Sequence, residues 1–134
     1  FAKSHPGGTL GKRLLLSAKD VMVSGDEMPI INHDVLSKDV IKTISEKGLG
    51  VTFVKNHDNK ITGLITDGDI RRALIDNNKF SQLKAIDLMN KNPLIAFESD
   101  NLQVAEKRMR EAKVQCLVVK NDSNEVVGVI QIFE

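Results

Sequence analysis

Ile61-Thr62-Gly63-Leu64-Ile65 and Val126-Val127-Gly128-Val129-Ile130 are two versions of one apolar run, each with glycine in third place. Toward the N-terminus, Val51-Thr52-Phe53-Val54 is matched by Cys116-Leu117-Val118-Val119. Further out, Asp20-Val21-Met22 is matched by Asp87-Leu88-Met89. The offset is 67 residues at the opening motif and 65 in the later runs. Three blocks in the same order, with a glycine repeated inside a strand pattern, identify a duplication.

Each copy reads as β-α-β-β followed by a helix. The first opens with a short strand at Pro29-Ile30-Ile31. A helix from Leu36 to about Lys47 follows, because Leu36, Val40 and Ile44 share one face and Ile41 widens it. Gly48 can end it in the left-handed conformation. Strands Val51 to Lys55 and Lys60 to Ile65 flank the turn Asn56-His57-Asp58-Asn59, and a helix begins near Asp67. In the second copy the short strand is Leu94-Ile95-Ala96, and the helix stripe is Leu102, Ala105, Met109 and Ala112. Strands Gln115 to Lys120 and Glu125 to Ile130 complete it. Between the copies, Ser81 is placed to cap a short helix running toward Met89. The fold class is therefore α/β (α+β), with helices packed on small sheets. Neither copy, at about sixty residues, has core to spare, so the two are expected to stack about a pseudo-twofold axis.

Composition removes several functions. Among 134 residues, 19 Lys+Arg balance 18 Asp+Glu at a net charge of +1, which gives no field to draw nucleic acid or an anionic membrane. Tyr and Trp are absent, so stacking on single strands has little support. No apolar run reaches the roughly 20 residues of a membrane span, and no secretory leader is visible. The single Cys116 lies in an apolar run and reads as a reduced, buried thiol of a cytoplasmic protein. His5, His33 and His57 are too scattered along the chain to suggest a metal cluster, so no metal site is expected. The start at Phe1 and the end at Glu134 suggest a piece of a longer protein, with the second copy cut before its last helix.

Gly63-Leu64-Ile65-Thr66-Asp67-Gly68-Asp69 joins a buried strand to a helix and is the best local site. Thr66 and Asp69 have the spacing of a capping box, a purely structural device. The same geometry suits a nucleotide: helix-start N–H groups and the Thr66 hydroxyl can meet a phosphate, and the Asp69 carboxylate can accept from ribose hydroxyls. Gly63 would allow close backbone approach or merely relieve packing. Arg71, Arg72 or Lys55 could offset anionic charge, and Ile30, Ile31 and Val51 could wall a base or simply join the core. In the second copy Gln131 and Glu134 replace Thr66 and Asp69, so two unequal sites are expected.

The duplication, from about residue 17 to 134, resembles a tandem CBS domain pair, or Bateman module. The leader Phe1-Ala2-Lys3-Ser4-His5-Pro6-Gly7-Gly8-Thr9-Leu10-Gly11-Lys12-Arg13, together with Thr66-Asp67-Gly68-Asp69-Ile70-Arg71-Arg72, resembles arabinose 5-phosphate isomerases. In that family a sugar isomerase domain precedes the CBS pair. The resemblance implies that residues 1–16 are the tail of such a domain with its linker, 17–80 the first CBS repeat and 81–134 the second. It implies that His5 corresponds to an active-site histidine in the interconversion of arabinose 5-phosphate and ribulose 5-phosphate for Kdo synthesis, feeding lipopolysaccharide or capsule. The fragment alone is expected to be inactive, since an isolated histidine cannot orient a sugar phosphate. No cofactor is required by this reading. The implied regulatory ligand is CMP-Kdo or an adenine nucleotide, and the implied assembly is a homodimer through CBS pairs and a higher homo-oligomer in the parent enzyme. The alternative is a structural, oligomer-forming module without a physiological ligand.

Overall fold

The computed structural model describes residues 15–76 and 78–132. His5 and Glu134 therefore lie outside the described residues. In chain order the elements are α1 (Ala18–Val21), β1 (Val23–Ser24), a 3-10 turn (Gly25–Glu27), β2 (Ile30–Asn32), α2 (Ser37–Lys47), β3 (Val51–Lys55), β4 (Ile61–Thr66) and α3 (Asp67–Asp76). A second 3-10 turn (Phe80–Gln82) then leads to α4 (Ala85–Leu88), β5 (Ile95–Phe97), α5 (Leu102–Ala112), β6 (Cys116–Lys120) and β7 (Val126–Gln131).

The duplication is visible bond by bond. β2 runs parallel to β3 with Ile31 opposite Val54, and β5 runs parallel to β6 with Ala96 opposite Val119. β3 and β4 are antiparallel with Val54 opposite Gly63, and β6 and β7 repeat this with Val119 opposite Gly128. Both hairpins shift register at the same place, between Val54 and Lys55 and between Val119 and Lys120. An offset of 65 relates each pair.

The compact units do not follow the sequence copies. One comprises Asp26–Pro93, and the other joins the chain up to Gly25 with Leu94 onward. The reason lies in the opening motifs. α1 and β1 precede the first copy, yet β1 pairs with β7 in a four-stranded sheet ordered β1-β7-β6-β5. α4, which opens the second copy, packs its Ala85 and Leu88 into the core of the three-stranded sheet β2-β3-β4. Each motif thus completes the sheet of the other copy.

The two glycines record this exchange. A Cβ on Gly63 would stand 2.6 Å from Met89 Sδ and 3.0 Å from the Asn90 carbonyl oxygen. A Cβ on Gly128 would stand 2.7 Å from both Met22 Sδ and the Val23 carbonyl oxygen. The aspartates of the same motifs cap the short helices. Asp20 Oδ2 accepts from the Ser17 N–H (2.8 Å) and hydroxyl (3.1 Å), and Asp87 Oδ2 accepts from the Lys84 N–H (2.9 Å).

In the Asp26–Pro93 unit the core is Ile31, Val40, Ile44, Val54, Ile65, Ile70, Ala85 and Leu88. In its partner unit the core is Ala18, Ala96, Leu102, Ala105, Met109, Leu117, Val119 and Ile130. Val51, Thr52, Phe53 and Val54 are all buried, so β3 is covered on both faces.

Several details differ from the sequence reading. α2 begins at Ser37, leaving Leu36 as an extended N-cap and exposed, and Ile41 is exposed as well. Buried Ser37 takes the expected Leu36 place and donates to the Phe80 carbonyl at 2.8 Å. Its hydroxyl could not be assigned inward from hydrophobic periodicity, because only a partner on a distant turn makes it affordable there. Ala112 is exposed at the last turn of α5. Ser81 lies in the 3-10 turn, and Lys84 rather than Ser81 is the N-cap of α4. Cys116 is half-buried, at the start of its strand. Gly48 ends α2 with φ +71°, as its position predicted.

Candidate functional site

β4 ends at Thr66 and α3 starts at Asp67 without an intervening loop. This abrupt junction is held by the predicted capping box. Asp69 Oδ2 accepts from the Thr66 N–H at 2.9 Å and from the Thr66 hydroxyl at 3.1 Å. The Asp69 N–H donates back to Thr66 Oγ1 at 3.3 Å. The other carboxylate oxygen, Oδ1, accepts from Arg72 Nη2 at 2.6 Å. Asp69 has only 15% of its side chain exposed, whereas Arg72 has 68%. The acid is thus fixed by its neighbours, and the guanidinium paired with it faces solvent. An exposed pair of this kind contributes about 0–1 kcal/mol, so Arg72 can leave Asp69 cheaply.

Arg72 also covers the first turn of α3. Its guanidinium lies 3.4 Å from where a Cβ on Gly68 would stand, with Thr66 Oγ1 at 3.6 Å from the same point. Asp67 turns the other way, its N–H donating to the Gly50 carbonyl (3.1 Å) and its carboxylate close over Gly50. Gly50 holds φ +69°, and a side chain there would meet Asp67 Oδ2 at 3.0 Å, so the loop before β3 is pressed against the start of α3.

The remaining expected site residues divide. Val51 is directly opposite Thr66 in the sheet, so it reaches this junction, but it is buried. Ile31 belongs to the core, while Ile30, on the other face of β2, is 42% exposed. Arg71 is exposed one residue from Arg72. Lys55 does not join the cluster: it pairs with Ile61 at the far end of β3, four residues or about 13 Å along the strand from Val51. Gly63 has a packing requirement of its own, the close passage of Met89 and Asn90. In the other hairpin Gln131 occupies the register of Thr66, opposite Cys116 as Thr66 is opposite Val51.

Sequence separation concealed one pairing. His33 and His57, read as scattered, meet with Nε2 atoms 3.1 Å apart and rings at 87°. The signal was present in the strand register: Asn32 lies opposite Lys55, so residues just beyond these two neighbours are brought together. No group of three or more His, Cys, Asp or Glu side chains among the described residues could hold a metal ion. Among the same residues no helix is long and apolar enough to cross a membrane.

Two β-α-β-β units, each completed by a short helix from the other copy's opening motif, define a duplicated α/β module whose strand-to-helix junction carries the polar cluster. The chain belongs to the CBS domain family, whose model matches residues 18–76 and 85–132. It is 35% identical over 134 residues to the arabinose 5-phosphate isomerase KpsF of Escherichia coli, covering 100% of this chain and 40% of that protein. The chain thus spans about two fifths of the length of the curated relatives it matches. An uncharacterized conserved protein from Pyrococcus horikoshii has the same fold, with a TM-score of 0.80 at 18% identity over 88% of this chain and 87% of that one. So does a CBS domain protein from Pyrobaculum aerophilum complexed with AMP, with a TM-score of 0.69 at 22% identity over 78% and 79%.

Proposed function

We propose that this chain is the nucleotide-sensing regulatory module of an arabinose 5-phosphate isomerase, and that the Thr66–Asp69 junction receives the ribose and phosphate of its ligand. The observation that carries the reading is the fixed, mostly buried Asp69 carboxylate beneath a solvent-exposed Arg72. An ionised carboxylate accepts and never donates, so it selects hydroxyl or N–H partners such as a ribose diol. A phosphate arriving at the start of α3 meets the positive end of the helix. Arg72 can then exchange Asp69 for the phosphate, leaving Oδ1 to the ribose. Arg71 lies close enough in sequence to add charge, and Ile30 offers an apolar surface in the same unit.

AMP in the Pyrobaculum structure supports the nucleotide class. The match to the isomerase over its CBS portion supports the parent activity, and with it CMP-Kdo as a second ligand to be compared. In the parent enzyme His5 would serve the isomerase site, assembly would proceed through CBS pairs, and the site of action would be the cytoplasm where sugar phosphates are made. The competing structural role is favoured by one fact: Thr66 and Asp69 already satisfy each other.

Calorimetric titration of the chain with AMP, CMP and CMP-Kdo separates the two. Saturable binding of at least one, near one equivalent, is expected. Absence of heat from all three at about millimolar concentration, where binding would be worth only about 4 kcal/mol, would leave the structural role.

A further inference from the structure

We infer that His33 and His57 form an open, two-imidazole site for a divalent transition metal. Both rings are near the surface, His57 exposed and His33 partly so, and a metal can reach them from solvent. With metal–nitrogen distances of about 2.0–2.1 Å, a nitrogen separation of 3.1 Å corresponds to a ligand–metal–ligand angle of roughly 98°. That angle lies between the octahedral and tetrahedral values, so the pair can serve as adjacent ligands once the rings turn their lone pairs toward a common point.

The backbone beneath them is held firmly. The His33 N–H donates to the Lys55 carbonyl at 2.9 Å, and the His33 carbonyl accepts from the Ile86 N–H at 2.9 Å. The turn bearing His57 is fixed by Asn56 Oδ1, which accepts from the Asp58 and Lys60 N–H groups. The second repeat supplies an internal comparison. Glu98 donates its N–H to Lys120 as His33 does to Lys55, and Asn121 organises its turn as Asn56 does. At the two histidine positions that repeat has Glu98 and Asp122. The backbone therefore does not require imidazoles, and their meeting is particular to the first repeat.

Without metal, one imidazole donates its Nε2 proton to the Nε2 lone pair of the other. Binding needs both lone pairs, so the donor ring moves its proton to Nδ1 through solvent, and the metal takes the vacated place with no net proton change. Water fills the remaining positions. Neutral imidazole suits Cu²⁺, Ni²⁺ and Zn²⁺, with affinity rising from Co²⁺ to Cu²⁺, while Mg²⁺ and Ca²⁺ prefer oxygen.

The test is titration of the full chain with Cu²⁺, Ni²⁺, Zn²⁺ and Mg²⁺, beside His33→Ala and His57→Ala. One equivalent of Cu²⁺ is expected, Ni²⁺ and Zn²⁺ binding more weakly and Mg²⁺ not at all. Loss of either imidazole should weaken binding by about tenfold or more, because the second ligand no longer acts intramolecularly. In the unaltered chain, trace Cu²⁺ should broaden the ring NMR signals of His33 and His57 ahead of those of His5. Failure to bind Cu²⁺, wild-type affinity in either variant, or first broadening at His5 would each overturn the assignment.

Discussion

Asp69→Ala should weaken AMP binding by roughly a hundredfold, the largest functional effect expected of any single change in the chain. Two hydrogen bonds from a ribose to a charged acceptor are worth about 1.5–3 kcal/mol each, and part of this is offset when Arg72 gives up the same acid. The variant also loses the capping box, which costs about 1 kcal/mol of stability, so urea unfolding must accompany the titration. Thr66→Ala removes the cap while keeping the carboxylate, so its urea midpoint measures the stability cost alone and separates it from the loss of the acid. Arg72→Ala distinguishes the two jobs of the arginine. If Arg72 moves to the phosphate, its loss weakens AMP but leaves adenosine unchanged or tighter. Equal AMP affinity in wild type and Asp69→Ala would remove the carboxylate from the site.

Gly128→Ala and Gly63→Ala should each destabilise the fold by about 1–3 kcal/mol, the range for overpacking a closed interior. The two should respond differently to a second change. At Gly63 the worst conflict is with the flexible end of Met89, at 2.6 Å, while the Asn90 carbonyl is 3.0 Å away. Met89→Ala in the Gly63→Ala background should therefore recover part of the loss. At Gly128 the Val23 carbonyl is itself 2.7 Å away and belongs to the strand paired with β7. Met22→Ala should recover little there, because backbone held in a sheet cannot retreat as a side chain can. Urea midpoints of the single and double variants measure this directly. Equal rescue in both would mean that the methionine, and not the neighbouring backbone, sets the need for glycine.

The parts of this architecture encoded locally could be read in advance. β3 was placed at its observed ends because five residues of strand pattern are bounded by Gly50 and Asn56. The stop of α2 at Gly48 and the box between Thr66 and Asp69 depend on residues within one helical turn of each other, so spacing sufficed. What depends on distant partners was not legible. Nothing local to Asp20-Val21-Met22 says that it will complete the sheet of the other copy, although the glycine repeated in β4 and β7 is the other half of that message. Lys55 looked like a neighbour of the site until strand register placed it at the opposite end. Ser37 turned inward for a carbonyl 43 residues away in the chain. His33 and His57 are 24 residues apart and meet only because β2 and β3 run parallel.

The most direct test of the nucleotide assignment is to follow the backbone amide NMR signals of the chain during addition of AMP. Saturable shifts should be largest at Thr66, Asp67, Gly68 and Asp69, with Gln131 in the matching register of the other hairpin little affected. Shifts centred away from the start of α3, or none at saturating AMP, would contradict the assignment.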